Sequence, residues 1–558
     1  MAVEGRPAKT DKEKASAITD RLTELKNLRS PWEDLWEEIT DFVHPRRTWY
    51  AGEWSEEGGI FGENIYDGSP GNAAQMLADG MMAYLVSPSI KWFSLRTEIM
   101  DLEDLPGVRR WLQELEEHYY SVFRRSNFYH TMAQYFMDAV TLGTATMYSE
   151  ENPETQLPVF SCRHPYEVYI AENMRGTVDT VFREFRYTAR QVVQRFGKVS
   201  PQLTDLAKTD PDHKMTCVHA VFPRNDDWIK TKSARNMAYA SVYLLPTQKR
   251  VTGERLLRES GYRTNPYHVW RYRKNTQETY GRSPCSDAIY DIKMINQMGR
   301  TGLKVAQRAA EPPYNVPEDM RGKVRVGPLG MNYYEDPSRI IAPIASPTQY
   351  PITIEEKRRL QEIIESRFHT DLFLLLTRAD KPMTAREVVE KQGEKAAILG
   401  TIIGRLDSEC LDPLFDRIFD IEWNAGRIPP LPPALMQTPG TQLRIEYNGP
   451  LAQAQRRLFE SQGTLQALES GLPLAQVDPT VLDNIDLGVA FRKIVQSLGI
   501  DEEALRDEPE VAMIRAQRAQ QQAMAAQLAQ AESMGKAAKG LNEKVQPGSL
   551  LEQMQGQR

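Results

Sequence analysis

Cysteine is scarce in this chain. Its four residues among 558, Cys162, Cys217, Cys285 and Cys410, are far apart and form no CxxC pair. That spacing excludes the usual zinc and dithiol motifs and predicts free thiols in a reducing compartment. No apolar run approaches the roughly 20 residues that cross a bilayer. The opening MAVEGRPAKTDKEK holds no apolar signal segment, so a soluble protein with no membrane partner is expected. A basic excess is missing too: the formal net charge is −7, which argues against a surface coated for nucleic acid but permits a local basic stripe. There is no GxxxxGK[ST], no GxSxG and no HExxH, and GTIIGR at 400–405 has the wrong ending for a phosphate loop and sits in a helical pattern. The eight histidines are scattered; His213 and His219, six apart in a polar stretch, read as solvated or core residues. No catalytic constellation emerges, and the expectation is a protein that is not an enzyme, with no catalytic residue, cofactor or metal.

The chain is too long for one ordinary core, and its 41% apolar content suits two or more globular units. Residues 11–43 carry Ile18, Leu22, Leu25, Leu28, Leu35, Ile39 and Phe42 at helical steps, with Pro31 predicting two helices and a bend. Ser69 and Pro70 suit a helix start whose inner stripe is Ala74, Leu77, Ala78, Met81 and Leu85. Trp92, Phe93 and Leu95 then enter a core, and a helical pair is expected over 108–148. From 159 to 245 short β-rich runs such as VDTVFREFRY and YASVYLL surround one helix at 189–196. The fold class expected is α+β, mainly α.

In YGRSPCSDAIYDIKMINQMGRTGLKVAQRAAEPP, Ser283 as cap and Pro284 in the first turn start a long helix. Ile292, Ile295, Leu303 and Ala306 fall on one side. Lys293, Arg300, Lys304 and Arg308 fall within one narrow face on the other. Pro312 and Pro313 stop it. A proline-punctuated insert follows, with KVRV and RIIAPI as β candidates. TIEE, a capping box of Thr353 and Glu356, then opens a returning helix striped by Leu360, Ile364, Phe368 and Leu372 and running to about Leu376. Out along one helix, through a compact module and back along another makes a stalk with a knob. At its root lies a short charged loop, 377–383, containing Arg378, Asp380, Lys381 and Met383. TARE, a second capping box of Thr384 and Glu387, starts another long helix that continues through Leu399, Ile402, Leu406, Leu414 and Ile418, with a kink expected before Pro413. PPLPP at 429–433 reads as a rigid connector. The Ala/Gln-rich stretch from 509 reads as a helix needing neighbours or a frayed tail.

Five strings occur in order: YDGSPGNAAQMLADGMMAYLVSPSIKWFSL, GTVDTVFREFRYTARQVVQRFG, YGRSPCSDAIYDIKMIN, DKPMTAREVVEK and EYNGPLAQAQR. Together, over about Trp32 to Arg457, they resemble the portal (head-to-tail connecting) proteins of short-tailed bacteriophages. The resemblance implies a portal fold of wing, stem, clip and crown, assembled as a homo-oligomeric ring, usually of twelve subunits, at one capsid vertex. Double-stranded viral DNA would be packaged through it and ejected through it. On that frame 1–282 would be wing, 283–310 and 352–376 stem, 311–351 clip, 377–384 the tunnel loop, 385–449 the long wing helix and return, 450–508 crown, and 509–558 the tail. Implied partners are the major capsid protein and scaffold, the terminase large subunit as the separate ATPase, and tail adaptor or nozzle proteins. The expected location is the virion, with assembly in the bacterial cytoplasm.

Arg378, Asp380, Lys381 and Met383 would then face DNA in the channel; the alternative is an ordinary surface turn. The stripe Lys293, Arg300, Lys304 and Arg308 would either meet phosphates or pair with Glu355, Glu362 or Glu365 on the return helix or a neighbouring subunit. The pairing is preferred, because a conducting channel should avoid deep electrostatic wells. Two other functions compete: a tail or scaffold component without a channel, and, further off, a phage nuclease.

Overall fold

A computed structural model gives the fold and describes residues 11–47, 62–99, 102, 105–197, 200–224, 237–247, 255–316, 318–325, 331–333, 336, 342–343, 350–370, 399–438, 443–448, 511, 513–525 and 527. Met1–Leu458 form one compact unit and Phe459–Arg558 a second. In the second unit residues 513–525 are helical; the expected crown segment, 450–508, lies outside the described residues.

Helix α1, Asp11–Phe42, runs unbroken through Pro31, where two helices were expected. Proline removes one helical hydrogen bond, but both flanks are held: Leu25 and Arg29 are buried on one side of it, Trp36 and Ile39 on the other. Leu28, expected inside, is 67% exposed, and the inward position belongs to Arg29. The Arg29 guanidinium donates to the carbonyls of Pro165, Tyr166 and Val168 at 3.1, 2.7 and 3.0 Å, which satisfies a buried charge that would otherwise be costly.

Helix α2, Ser69–Leu85, buries the expected stripe. Its start differs from expectation. Ser69 is the first helical residue rather than the cap, and the Asp67 carboxylate accepts from the Ser69 N–H at 2.9 Å and from its hydroxyl. Strand β1, Phe93–Thr97, is followed by α3, Pro106–Arg125, and α4, Phe128–Leu142. The expected helical pair therefore ends at Leu142. Tyr148 belongs to strand β2, Thr144–Glu151, because Gly143 (φ 79°) terminates the helix in the left-handed region and β-prone residues follow.

Strand β3, Pro158–Arg163, leads through β4, Val168–Glu172, and β5, Val178–Thr188, to helix α5, Ala189–Phe196. There Thr188 and Gln191 form a reciprocal capping box. Helix α6, Pro201–Thr209, and strands β6, Lys214–Pro223, β7, Tyr239–Leu245, β8, Arg255–Tyr262, and β9, Tyr267–Arg271, complete the region. One antiparallel sheet has the order β3-β2-β9; a second has β4-β5-β6-β7-β8. The second lies between two helical layers. Ile18, Leu22 and Leu25 of α1 cover Phe182, Val218 and Ala220 on one face, while Val192 of α5 and Leu203 of α6 cover Phe185 and Cys217 on the other. His219 is a core histidine, bonded to Tyr267 and Ser241.

Helix α7, Pro284–Ala310, runs out from this body. The insert then shows a two-residue strand β10, Tyr314–Asn315, paired with β11, Ala342–Pro343. The latter falls in RIIAPI. The described part of KVRV, residues 323–325, is not strand: Lys323 lies in a turn that follows the short helix Glu318–Met320. Helix α8, Tyr350–Arg367, returns. It begins three residues before Thr353, since Pro351 suits a first helical turn; Thr353 is inside the helix and is not its cap. It also stops short of Leu376, at a turn in which His369 takes φ 52°. Residues 399–406 are helical and pass through a π-helical turn, Asp407–Leu411, into α9, Asp412–Asn424. The expected kink before Pro413 takes this form, an extra residue accommodated where proline lacks an N–H. Helix α10, Pro433–Gln437, and strand β12, Leu443–Tyr447, follow. β12 pairs with β1 from Phe93↔Tyr447 to Thr97↔Leu443.

Candidate functional site

The candidate site is the stalk and its root. α7 leaves the body at a close backbone approach. A Cβ on Gly143 or on Gly281 would stand 2.2 Å from the other's carbonyl oxygen, so only glycine fits at either position. Ser283 caps the helix as expected. Its Oγ accepts from the Ser286 N–H at 3.0 Å, Ser286 Oγ accepts from the Ser283 N–H at 3.0 Å, and the Ser283 hydroxyl donates to the Thr141 carbonyl at 2.7 Å. The direction of α7 is thereby fixed to the end of α4.

α7 and α8 pack antiparallel, since Arg367 at the end of α8 bonds the Asp287 carbonyl (2.8 Å) and the Asp291 carboxylate (3.0 Å) near the start of α7. Ile289, Ile292 and Ile295 share one apolar core with Leu360, Ile364 and Phe368. Leu303 and Ala306, expected on this inner side, are exposed, because α7 outruns its cover. From 300 to 310 only Gly302 and Val305 are even half-buried. Tyr290 is 80% exposed, Met294 54%, Leu303 50% and Ile354 of α8 47%.

The four basic residues divide. Lys293 pairs with Glu38 of α1 at 2.7 Å, not with an acid of α8. The Arg300 guanidinium lies 5.9 Å from the centre of the Tyr66 ring. Lys304 and Arg308 are exposed on the outer half of α7. Arg378, Asp380, Lys381, Met383, Thr384 and Glu387 lie outside the described residues.

Two groupings at the root have no signal in the sequence, because their members are far apart along it. Residues 64–69 lie against both stalk helices. Lys357 reaches the Asp67 carboxylate at 2.8 Å, and Asn296 accepts from the Tyr66 N–H at 2.7 Å. Burial pushes the Asp67 carboxyl up, but the bonds from Lys357 and Ser69 outweigh it and hold it below the usual carboxylate range. The second grouping centres on Arg271, 1% exposed, at the end of β9. It donates to Glu409 in the π-helical turn at 2.5 Å, to the Gly176 carbonyl at 2.9 Å, and to Glu172 of β4. One buried guanidinium thus joins both sheets to the π-helical turn before α9. Beside it, burial and then the Asp412 charge push the Asp407 carboxyl up to about 7. Tyr447 of β12 donates to Asp412 at 2.6 Å.

This arrangement holds the two helices in place and leaves large apolar side chains of both exposed. Among the described residues no group of His, Cys, Asp and Glu suits a metal ion, and no helix is long and apolar enough to cross a membrane.

Residues 15–505 match the sequence pattern of the family described as bacteriophage head to tail connecting protein. The probable portal protein of Bordetella phage BPP-1 is 31% identical over 536 residues, covering 92% of this chain and 92% of that protein. The portal protein of Salmonella phage epsilon15 is 29% identical over 548 residues, covering 95% and 94% respectively.

Proposed function

The chain belongs to the bacteriophage head to tail connecting protein family, and from that premise we propose how it works as a phage portal. Its function is that of a portal protein, a structural component of the virion. The assembly is a closed ring of identical copies at one capsid vertex, twelve by resemblance. Viral DNA is packaged through its channel and later ejected through it.

The observation that carries this reading is the uncovered stalk. Tyr290 and Met294, one turn apart on the outer face of α7, stand well exposed, and Leu303 on its inner face and Ile354 of α8 are about half exposed where the two helices no longer cover each other. Large apolar side chains left exposed on both faces of a helix pair call for cover, and a ring gives every stalk two neighbours. α7 and α8 are then the stem, 311–351 the clip, the body before 283 with 385–449 the wing, and 450–508 the crown. The clip docks the terminase large subunit during packaging and tail adaptor proteins afterwards, and the wing meets the capsid protein and scaffold. Residues 377–384 form a collar in the channel, with Arg378 and Lys381 touching phosphates and Asp380 keeping that contact weak.

The division of the basic stripe supports two roles. Lys293 and Arg300, engaged within the chain, position α7. Lys304 and Arg308, on its uncovered half, face a neighbouring subunit or the DNA. Negative-stain microscopy of the purified protein tests the whole reading. Closed rings with a pore wide enough for a duplex are expected; a monomer as the sole species at high concentration would overturn it.

A further inference from the structure

The segment YDGS, Tyr66–Ser69, links three elements that its sequence neighbours do not. On α7, the Asn296 carboxamide accepts from the Tyr66 N–H at 2.7 Å and donates to the Asn64 carbonyl at 2.9 Å. Asn296 is 9% exposed, so this is a buried, two-sided grip on backbone. One turn on, Gly299 lets the segment close in: a Cβ there would stand 3.0 Å from the Tyr66 carbonyl oxygen and 3.2 Å from its Cβ. On α8, Lys357 pairs with Asp67 at 2.8 Å, and Gln361 Nε2 donates to Ser69 Oγ at 2.9 Å. The same Asp67 caps the first turn of α2.

We propose that residues 64–69 form a clasp that sets the axial register of α8 against α7 and ties both helices to α2. The apolar seam between the two helices cannot set register alone. Leu360, Ile364 and Phe368 recur every four residues, and hydrophobic contact has no direction, so a slide by one turn of roughly 5.4 Å re-forms much of it. The clasp does discriminate. Sliding α8 so that Gln361 takes the place of Lys357 brings Glu365 into the place of Gln361, beside Asp67, and sets two carboxylates together. Sliding it the other way puts Thr353 where Lys357 was and Lys357 where Gln361 was, so the bonds from Lys357 to Asp67 and from Gln361 to Ser69 are both lost in their present form. A second key stands at the end of α8, where Arg367 holds Asp291 and the Asp287 carbonyl. A push along α8 is therefore passed to α2, and through α2 to the buried α4, unless the clasp opens. Its use within a working portal rests on the function proposed above; the register does not.

Hydrogen–deuterium exchange on the full chain tests this. Asp67→Lys should raise exchange at both 69–74 and 350–367 by about tenfold while 128–142 stays at the parental rate. The swap Asp67→Lys with Lys357→Asp should return both segments toward the parent. Faster exchange at 69–74 alone would reduce Asp67 to a helix cap and overturn the clasp, as would a swap that restores nothing. If Asp67→Lys does not fold, Lys357→Met, altered from the half-exposed side of α8, should speed exchange at 62–74 on the opposite element; parental exchange there overturns the proposal. Microscopy of the same samples separates the two readings, since a protein with coupled exchange that never forms rings keeps the clasp and loses the portal assembly.

Discussion

Replacing Gly281 by alanine tests whether the launch of α7 depends on the backbone approach beneath it. The new Cβ would lie 2.2 Å from the Gly143 carbonyl oxygen and 2.9 Å from Arg271 Cβ. Neither contact is the free end of a side chain, so the two backbone segments must separate by about 1 Å to reach ordinary van der Waals distance. Two hydrogen bonds close this gap, Gly281 N–H to Thr144 Oγ1 at 2.8 Å and Tyr272 N–H to the Gly143 carbonyl at 2.9 Å. Both lie among buried residues, and leaving each unpaired costs about 1–3 kcal/mol, so the expected loss is about 2–6 kcal/mol. That is a large part of the roughly 5–15 kcal/mol that holds a typical domain. The melting temperature should fall by about 5 °C or more. Gly404→Ala is the matched control. It lies in a helix with nothing within 4 Å of the new Cβ, and alanine there should stabilise by about 0.5–1 kcal/mol. If Gly281→Ala melts with the parent, the approach is slack and α7 takes its direction from the Ser283 cap alone.

Asp407 gives a pH-dependent test. Burial and the Asp412 charge push its carboxyl up to about 7 in the folded chain, from about 3.8 for a free aspartate, so between those pH values the folded state holds more protons and stability falls as pH rises. Asp407→Asn should flatten that fall and melt above the parent at pH 8, by about 1–3 kcal/mol, with little difference near pH 4; parallel melting-temperature profiles would refute it. For the loop, Arg378→Glu with Lys381→Glu should assemble normally and yield particles with less DNA, read from the genome content of purified capsids. A full genome in the double variant would leave the loop a purely structural turn.

Features with local causes were legible in the sequence. Ser283-Pro284 marks a helix start whatever packs around it, and Thr188 and Gln191 close a capping box within four residues. The stripe of α2 is regular because one side of that helix is buried throughout. The failures are places where distant partners decide. Arg29 displaces Leu28 from the interior because three carbonyls near residue 166 need a donor, which no period along α1 reveals. Leu303 follows the inner period of α7 yet is exposed, because period says which way a residue points and not how far its cover extends. Thr353 satisfies the capping-box pattern, but Pro351 lets the helix start earlier. At the site, the stripe's common face was readable, while its partners Glu38 and Tyr66 were not. Asp67 and Arg271 left no trace because their roles depend on residues hundreds of positions away or in other elements.

The pairing of β1 with β12 bears on how the protein is made. Arg96 and Glu446, bonded diagonally across it at 3.2 Å, are 350 residues apart. Trp92 and Phe93 pack on Phe415 and Tyr447, so the aromatic core is incomplete until nearly all of the first unit has left the ribosome. At the usual pace of synthesis, about 5–20 residues per second, β1 waits roughly 20–70 s for its partner. Through that interval a nascent chain carries an open strand edge next to two large rings that Tyr120, Phe123 and Phe128 cover only in part, a combination prone to pairing with other chains. Truncation before Leu443 makes the wait permanent. Soluble yield in the host should therefore rise when chaperones are co-expressed, before any copy meets another.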